Sequence, residues 1–217
     1  MLAERSRGST LFAVGHPSKG GSRGGDVKGF DTLQNRCEAC QRCDLAHHRQ
    51  TVVVGRGNPR SDLMLIGEAP GADEDNLGLP FVGRSGRLLS ELLKEADLDE
   101  DKDLYICNVI KCRPPQNRKP TLEEIRQCRP WLEEQLELVN PSLVLMAGAT
   151  ALKALLGIKS GISKLRGQWH EQEGRAFMPV FHPSYLLRFR SREAGSPQAL
   201  TLQDLQEAKR RLSAQGG

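Results

Sequence analysis

A glycine-rich and acidic loop at residues 67–86 is the first stretch whose composition suggests chemistry, and it reads GEAPGADEDNLGLPFVGRSG. It directly follows an apolar run, and a Pro-Phe pair lies near its end. Glycine amides could bind a phosphate, the carboxylates could bind a cation, and the phenylalanine could form one wall of a pocket for a flat ligand. The loop alone leaves these three possibilities open.

Cysteines form the second candidate site: Cys37, Cys40, Cys43, Cys107, Cys112 and Cys128. Three disulfides are conceivable, but the sequence shows no export signal, and metal binding is then the better interpretation. Cys40 and Cys43 form a CxxC turn, which Cys112 and Cys128 can complete to four ligands. This spacing fits a zinc ion and a [4Fe–4S] cluster equally well, and Cys37 could replace one of the first pair. We expect Cys107, inside an apolar run, to be a core residue.

Short apolar runs alternate with helical patterns and predict the elements that position these residues. We expect strands at 62–67, 104–110, 142–148 and within 176–184. Strands that alternate with helices indicate an α/β fold with a mostly parallel sheet covered on both faces. The residues just past the strands should then meet at one rim, because ligands bind outside the carboxyl ends of such strands. These segments are GEAPG, Asn108 with KCRPPQNR, GAT and HPSYLLR.

Helix ends are also predicted from the sequence. Leu88, Leu89, Leu92 and Leu93 form one helical face, with Ser85 as the expected cap. Thr121 and Glu124 form a capping box. Pro130 should kink or split the helix that follows.

Composition sets limits on the class of protein. The chain has 217 residues, a net charge of +4 and an isoelectric point near 8.8, which allows a polyanionic partner without requiring one. No apolar run reaches membrane-span length and no signal-peptide segment is present, so we expect an intracellular protein that does not bind membranes. Residues 1–30, rich in Gly, Ser, Arg and Lys, predict a flexible tail before a single domain at 31–217.

Four motifs in order make the sequence recognisable: CxxCxL at Cys40, GEAPGADEDNLGLPFVG, NVIKCRPPQNRKP and HPSYLLR. Together they resemble the family 4 uracil-DNA glycosylases over residues 37 to 212. The resemblance implies a three-layer α/β sandwich with a central four-stranded, mostly parallel sheet. It implies an enzyme that flips uracil out of DNA and hydrolyses its N-glycosidic bond, leaving an abasic site. It also implies a structural [4Fe–4S] cluster on Cys40, Cys43, Cys112 and Cys128, with Cys37 spare and zinc as the alternative.

The resemblance further implies a set of uracil-binding residues: Gly67, Glu68, Ala69, Glu74, Phe81, Asn108 and His182. The loop has neither G-x-G-x-x-G spacing nor a P-loop lysine, so we interpret it as the wall of a flat-base pocket. Phe81 should stack on the base. The Asn108 amide offers an acceptor to N3–H and a donor to O4, a pattern that cytosine reverses.

The remaining roles concern thymine exclusion and bond cleavage. Glu74 is expected to crowd the C5 edge, where thymine carries its methyl group. His182 should hydrogen-bond O2 as negative charge develops there. Family 1 enzymes place a water-positioning aspartate where this chain has Ala69, which leaves Glu68 and Asn117 as candidates to orient water.

The segment after His182 is the expected DNA contact. Leu186 and Leu187 should fill the gap left by the flipped nucleotide, as apolar wedges do. Basic residues should neutralise phosphates: Arg84, Arg113, Arg118, Arg188, Arg190 and Arg192. The partner is thus uracil-containing DNA, and we expect a cytoplasmic, nucleoid-associated monomer.

Two other functions are compatible with parts of the pattern. A non-catalytic iron–sulfur DNA-binding protein would not need a base-edge amide such as Asn108. A covalent uracil-DNA-linking relative would carry a histidine in the insertion after the second strand, and KCRPPQNRKP has none. The motifs therefore favour the glycosylase.

Overall fold

A sheet of six strands forms the centre of the computed structural model, which describes residues 27–189 and 191–215. The strands are β1 (Arg56–Gly57), β2 (Leu63–Gly67), β3 (Leu104–Asn108), β4 (Leu143–Ala147), β5 (His170–Gln172) and β6 (Arg175–Val180), in the order β1-β3-β2-β4-β6-β5. The four inner strands are parallel, and β1 and β5 pair antiparallel at the edges. The α/β prediction is confirmed, but the sheet is wider than four strands. Edge strands of two and three residues are too short to show a sequence period.

Helices cover both faces of the sheet. They are α1 (Val27–Glu38), α2 (Ala72–Leu77), α3 (Arg84–Glu95), α4 (Leu122–Val139), α5 (Ala149–Leu156), α6 (Ile162–Leu165), α7 (Pro183–Leu186) and α8 (Pro197–Gln215). Helix α1 begins inside the predicted tail, because Phe30 packs on Tyr105 with ring centroids 5.3 Å apart. The rest of that tail, residues 1–26, lies outside the described residues. Within the described ranges, no helix is both long and apolar enough to cross a membrane.

Alternating side chains of the inner strands enter two hydrophobic cores, one on each face of the sheet. Met64 and Ile66 pack with side chains of α1, α4 and α5, whereas Leu63 and Leu65 pack with those of α3 and α8. Both faces of each inner strand are therefore buried, which is why these strands are nearly continuous apolar runs. The arrangement is the predicted three-layer sandwich.

One of the predicted helix caps needs correction. Gly83, and not Ser85, precedes α3 as its cap. Helix α4 runs through Pro130 as one helix of 18 residues, so the helix is not split, and a kink at Pro130 stays a prediction. The capping box is confirmed: the Glu124 amide donates to Thr121 Oγ1 at 3.1 Å, and the Thr121 amide donates to Glu124 Oε2 at 2.7 Å.

The carboxyl ends of the inner strands lie side by side, as predicted. Gly67 pairs with Asn108 across β2 and β3. The Gly148 amide donates to the Val180 carbonyl at 2.9 Å, joining the ends of β4 and β6. A Cβ on Gly148 would lie 3.0 Å from His182 Cβ, so the GAT and HPSYLLR segments are in contact.

The capping box predicts a measurable contribution to stability. Thr121→Ala leaves the Glu124 amide without its acceptor, so we expect the free energy of unfolding to fall by about 1 kcal/mol. Urea titration followed by circular dichroism measures this change. Ser160→Ala, at an exposed position, is the control and should leave the midpoint unchanged. Equal midpoints for the two variants would show that the cap contributes nothing.

Candidate active site

An open recess of about 280 Å³ lies at the rim where the inner strands end. Most of the predicted base-binding and water-orienting residues line it: Glu68, Ala69, Glu74, Phe81, Asn108, Asn117 and His182. Gly67 lies directly beside Phe81 and Asn108. Side chains from four separate segments of the chain thus meet around one space suited to a small ligand.

The absence of a side chain at Gly67 brings the ring and the amide together. A Cβ at this position would lie 2.4 Å from both Asn108 Oδ1 and Phe81 Cζ, closer than atoms can approach. Phe81 itself has a φ of 55°, a left-handed backbone conformation that is strained for a bulky residue. A Cβ on Gly86 would lie only 2.0 Å from the Phe81 carbonyl oxygen, so no side chain fits at position 86. The backbone at Gly67 and Gly86 is therefore shaped around Phe81.

Asn108 presents an unpaired polar atom at the recess. The residue is 2% exposed, and its Oδ1 is buried without a hydrogen-bond partner among the described residues. Leaving such an acceptor unpaired costs about 1–3 kcal/mol. A ligand that donates a hydrogen bond here would recover this free energy.

His182 lines the recess with Asn108 and lies beside Phe81, with the two ring centroids 5.9 Å apart. Its Nδ1 accepts a hydrogen bond from the Ser184 amide at 3.2 Å and lies 2.8 Å from Ser184 Oγ. Because Nδ1 is an acceptor, the proton of the neutral ring is on Nε2. Burial lowers the pKa of His182 below its ordinary value of 6.5, against the opposing effect of the Glu68 and Glu74 carboxylates.

Glu68 is held in place by a residue that the sequence analysis did not identify. Its Oε2 accepts a hydrogen bond from Thr150 Oγ1, in the first turn of α5. The sequence predicts that the GAT segment lies at the rim, but a threonine in a helix turn carries no sequence pattern that indicates a role. The bond fixes one carboxylate oxygen of Glu68 and leaves the other without a described partner.

Glu74 has a structural role that differs from the expected one. Its carboxylate accepts hydrogen bonds from the amides of Gly71 at 3.1 Å, Val82 at 3.0 Å and Gly83 at 2.9 Å. These bonds close the loop that presents Phe81, so Glu74 shapes the wall of the recess. Its steric exclusion of a C5 methyl group stays a prediction.

Side chains after β3 form the opposite side of the recess. Asn117 Oδ1 accepts a hydrogen bond from Arg113 Nε at 2.7 Å. Arg118 forms a two-pronged ion pair with Glu124, at 2.6 and 2.9 Å. Arg84 is exposed at the start of α3. Arg118 lines the recess, and Arg113 and Arg118 already have partners within the protein, so phosphate contacts by these arginines stay a prediction.

The segment after His182 needs two corrections. Leu186, the last residue of α7, is fully buried in the hydrophobic core and therefore cannot be a wedge. Leu187 is 36% exposed. Arg192 binds Glu91, Glu95 and Gln198 and thus ties its loop to α3 and α8. Arg188 is exposed, and Arg190 lies outside the described residues.

The predicted metal ligands line a second cavity: Cys40, Cys43, Cys112 and Cys128. Cys37 lines the same cavity, so it is not remote from the site, whereas Cys107 is buried in β3 as expected for a core residue. The sulfurs accept hydrogen bonds that the sequence did not predict. The donors, each 3.3 Å away, are Trp131 Nε1 to Cys40, Arg49 Nη1 to Cys112 and the Lys111 amide to Cys128.

Burial favours the neutral thiol form at Cys43, Cys112 and Cys128. Burial raises the pKa of Cys128 to about 12 and that of Cys112 above its ordinary value, although Lys111 and Arg49 respectively oppose the rise. A metal centre would supply the positive charge that thiolates need here. In the part of the chain that the structure describes, no three metal-binding side chains converge on a single ion.

Comparisons with known proteins agree with this geometry. A family model described as the uracil DNA glycosylase superfamily matches residues 54–206. The type-4 uracil-DNA glycosylase of Thermotoga maritima is 44% identical over 86% of this chain and 96% of its own length. That of Archaeoglobus fulgidus is 36% identical over 74% of this chain and 84% of its own. A type-5 uracil-DNA glycosylase of Thermus thermophilus is 34% identical over 73% of this chain and 79% of its own length.

The matched region extends over the sheet, the recess and the segments around it. It includes the ends of all four inner strands, from which the recess residues project. The chain therefore belongs to the uracil-DNA glycosylase superfamily, and within it to the type-4 group.

Proposed function

We propose that this protein is a DNA repair enzyme that binds uracil flipped out of DNA and hydrolyses its N-glycosidic bond, leaving an abasic site. The observation that carries the proposal is the meeting of Phe81, Asn108 and His182 at one recess, with the Asn108 amide oxygen buried and unpaired. Such a reaction requires a flat ring surface for stacking, an amide that reads the edge of the base, and a hydrogen-bond donor that stabilises the uracil anion as it leaves.

Base recognition follows from the two side chains beside Gly67, the Phe81 ring and the Asn108 amide. The Phe81 ring provides a face for stacking. The unpaired Oδ1 of Asn108 accepts the N3–H of uracil, and its Nδ2 donates to O4. Cytosine presents an acceptor at N3 and a donor at C4, so it would leave both Asn108 atoms facing like groups. Each mismatch costs about 1–3 kcal/mol.

Departure of the base is assisted by His182. Because the Ser184 amide occupies Nδ1 of its neutral ring, Nε2 is the N–H that remains free to donate to the base. A hydrogen bond from Nε2 to uracil O2 strengthens as negative charge develops on the leaving base. The His182 proton need not be transferred, since the group acts as a fixed donor.

Glu68 is the better candidate of the two for orienting the attacking water. Thr150 fixes one of its carboxylate oxygens, and the other can accept a hydrogen bond from water. The Oδ1 of Asn117 is already bound to Arg113, which suits Asn117 to supporting the loop. The negative charge of Glu68 would also stabilise the sugar cation that forms as the bond breaks.

Four of the cysteines that line the cavity, Cys40, Cys43, Cys112 and Cys128, support a [4Fe–4S] cluster held by these residues. Such a cluster would supply structural cross-linking, because it would join the loop after α1 to the loop after β3 and to α4. Three of the four sulfurs already accept N–H hydrogen bonds, as cluster sulfurs do. A zinc ion held by the same four thiolates is the alternative.

The DNA contact is proposed for the surface beside the recess. Leu187 takes the wedge role in place of Leu186, and Arg84 and Arg188 contact phosphates.

We propose that the enzyme acts as a monomer on the DNA of the nucleoid. Activity should then fall steeply with added salt, as phosphate neutralisation by arginines requires.

Strand cleavage of a uracil-containing oligonucleotide, followed by alkali, tests the proposed reaction. The wild type should cleave at uracil, and Asn108→Ala and His182→Ala should each reduce the rate by at least about a hundredfold. Ser160→Ala is the control and should retain full activity. An intact strand with the wild type would indicate a protein that only binds DNA, and a heat-stable protein–DNA adduct would indicate the covalent relative.

The visible spectrum of the same preparation tests the cofactor. Broad absorbance near ~400 nm is expected for the iron–sulfur cluster. Cys112→Ala should lose this absorbance and its iron, whereas Cys107→Ala should keep both. A colourless protein that contains zinc would contradict the assignment.

The pH profile tests the neutral form of His182. Since its pKa is lowered from 6.5, single-turnover rates should stay constant as the pH falls through 6.5, and should decline only below the lowered value. Protonation of Nδ1 at that pH would break the hydrogen bond that the Ser184 amide donates to this atom. The same lowered pKa makes the folded protein lose stability as the pH falls below 6.5, an effect absent in His182→Gln. A rate that decreases as the pH rises through 6.5 would instead require a cationic histidine.

The two leucines after Tyr185 give a matched pair of variants. Leu187→Ala should leave thermal stability unchanged and lower kcat/KM on double-stranded DNA more than on single strands, because only a duplex leaves a gap to fill. Leu186→Ala should lower stability by about 2–5 kcal/mol as a core truncation. Thermal melting and kinetics on both substrates measure these differences. Equal kinetics for Leu187→Ala and the wild type on duplex DNA would exclude the wedge role.

A further inference from the structure

Lys111 is a buried cation between the two sites described above. Its side chain is 1% exposed, yet no carboxylate forms an ion pair with it in the described parts of the chain. A buried charge is costly unless other groups compensate it. The residue lies directly before Cys112, and neither the proposed recognition of uracil nor the proposed set of cluster ligands uses its side chain.

One end of Lys111 contacts Asn108, which lines the recess. Its Nζ donates to the Asn108 carbonyl at 2.6 Å and to Gln135 Oε1. Gln135 is itself fixed, because its Nε2 donates to the Val54 carbonyl at 2.8 Å and to the Tyr105 hydroxyl at 2.9 Å. The ammonium is therefore anchored to the sheet and holds the peptide that carries the base-edge amide.

The backbone of Lys111 contacts the cysteine cavity. Its amide donates to Cys128 Sγ at 3.3 Å, its carbonyl accepts from the Val53 amide at 2.8 Å, and the residue lines the cavity. Metal-bound thiolates carry negative charge. The cavity, when loaded, would thus supply the anions that the buried ammonium lacks.

We propose that Lys111 is a positioning residue that holds the Asn108 carbonyl, and so sets its amide in the uracil recess, while tying this position to the cysteine cavity. Asn108 Oδ1 has no hydrogen-bond partner until the base arrives. Hydrogen bonds of its own side chain therefore do not fix the Oδ1 position, and the Asn108 peptide must be fixed by its neighbours. The inference rests on the proposed uracil-binding role of this recess.

The decisive variant is Lys111→Met, which keeps an unbranched side chain of similar length and removes the ammonium. Its affinity for free uracil, measured as the ligand-induced rise in melting temperature, should fall roughly tenfold or more. The iron content and the absorbance near ~400 nm are measured on the same sample. kcat/KM on a uracil-containing oligonucleotide should fall in parallel, and the preference for uracil over cytosine should narrow.

Arg166→Met is the matched control for general destabilisation. Arg166 forms a buried ion pair with Asp204 of α8, away from the recess residues. This variant should melt at a lower temperature but bind uracil with unchanged affinity. A loss of uracil affinity in Arg166→Met equal to that in Lys111→Met would overturn the positioning role, since it would trace the effect to stability alone.

Lys111→Gln keeps the test decisive if the methionine variant does not fold. It retains one N–H donor without the charge, and its uracil affinity should still fall. Unchanged affinity in an iron-loaded Lys111 variant would overturn the inference and leave the proposed enzyme intact. Failure of the wild type to bind or excise uracil would instead contradict the proposed function, so the two failures are distinguishable.

Discussion

The contact at the end of two parallel strands is the constraint on which the site depends. Gly67 and Asn108 are partners in adjacent strands, and the space beside the glycine is filled by Phe81 and the Asn108 amide. Any side chain at position 67 would overlap both. The base-edge amide is therefore placed by the register of the sheet, and the stacking ring is placed by the loop that the Glu74 carboxylate closes.

The recess and the cysteine cavity are neighbours because the same short segment after β3 serves both. Asn108 ends the strand and faces the recess, and Cys112 faces the cavity four residues later. The hydrogen bonds of Lys111 join the two. A structural metal centre at this point would stabilise the geometry of the recess without taking part in bond cleavage.

Much of the fold was predictable from the sequence, because buried parallel strands are continuous apolar runs and their carboxyl ends must share one edge. The positions of Asn108 and His182 at one recess were predicted for this reason, whereas the role of Phe81 was implied only by the resemblance to the family. The buried state of Leu186 was not, since two adjacent leucines on a short helix look alike until packing separates them. The roles of Thr150 and Lys111 were missed as well. A threonine in a helix turn and a lysine beside a cysteine have no spacing that indicates a partner far along the chain.

The two antiparallel edge strands have a consequence for how the molecule behaves at high concentration. Strands β1 and β5 have two and three residues, so each outer margin of the sheet offers only a brief row of free amide and carbonyl groups. A second chain can add few hydrogen bonds to such a margin. The sheet is thus protected against intermolecular strand addition, and so against aggregation through its borders.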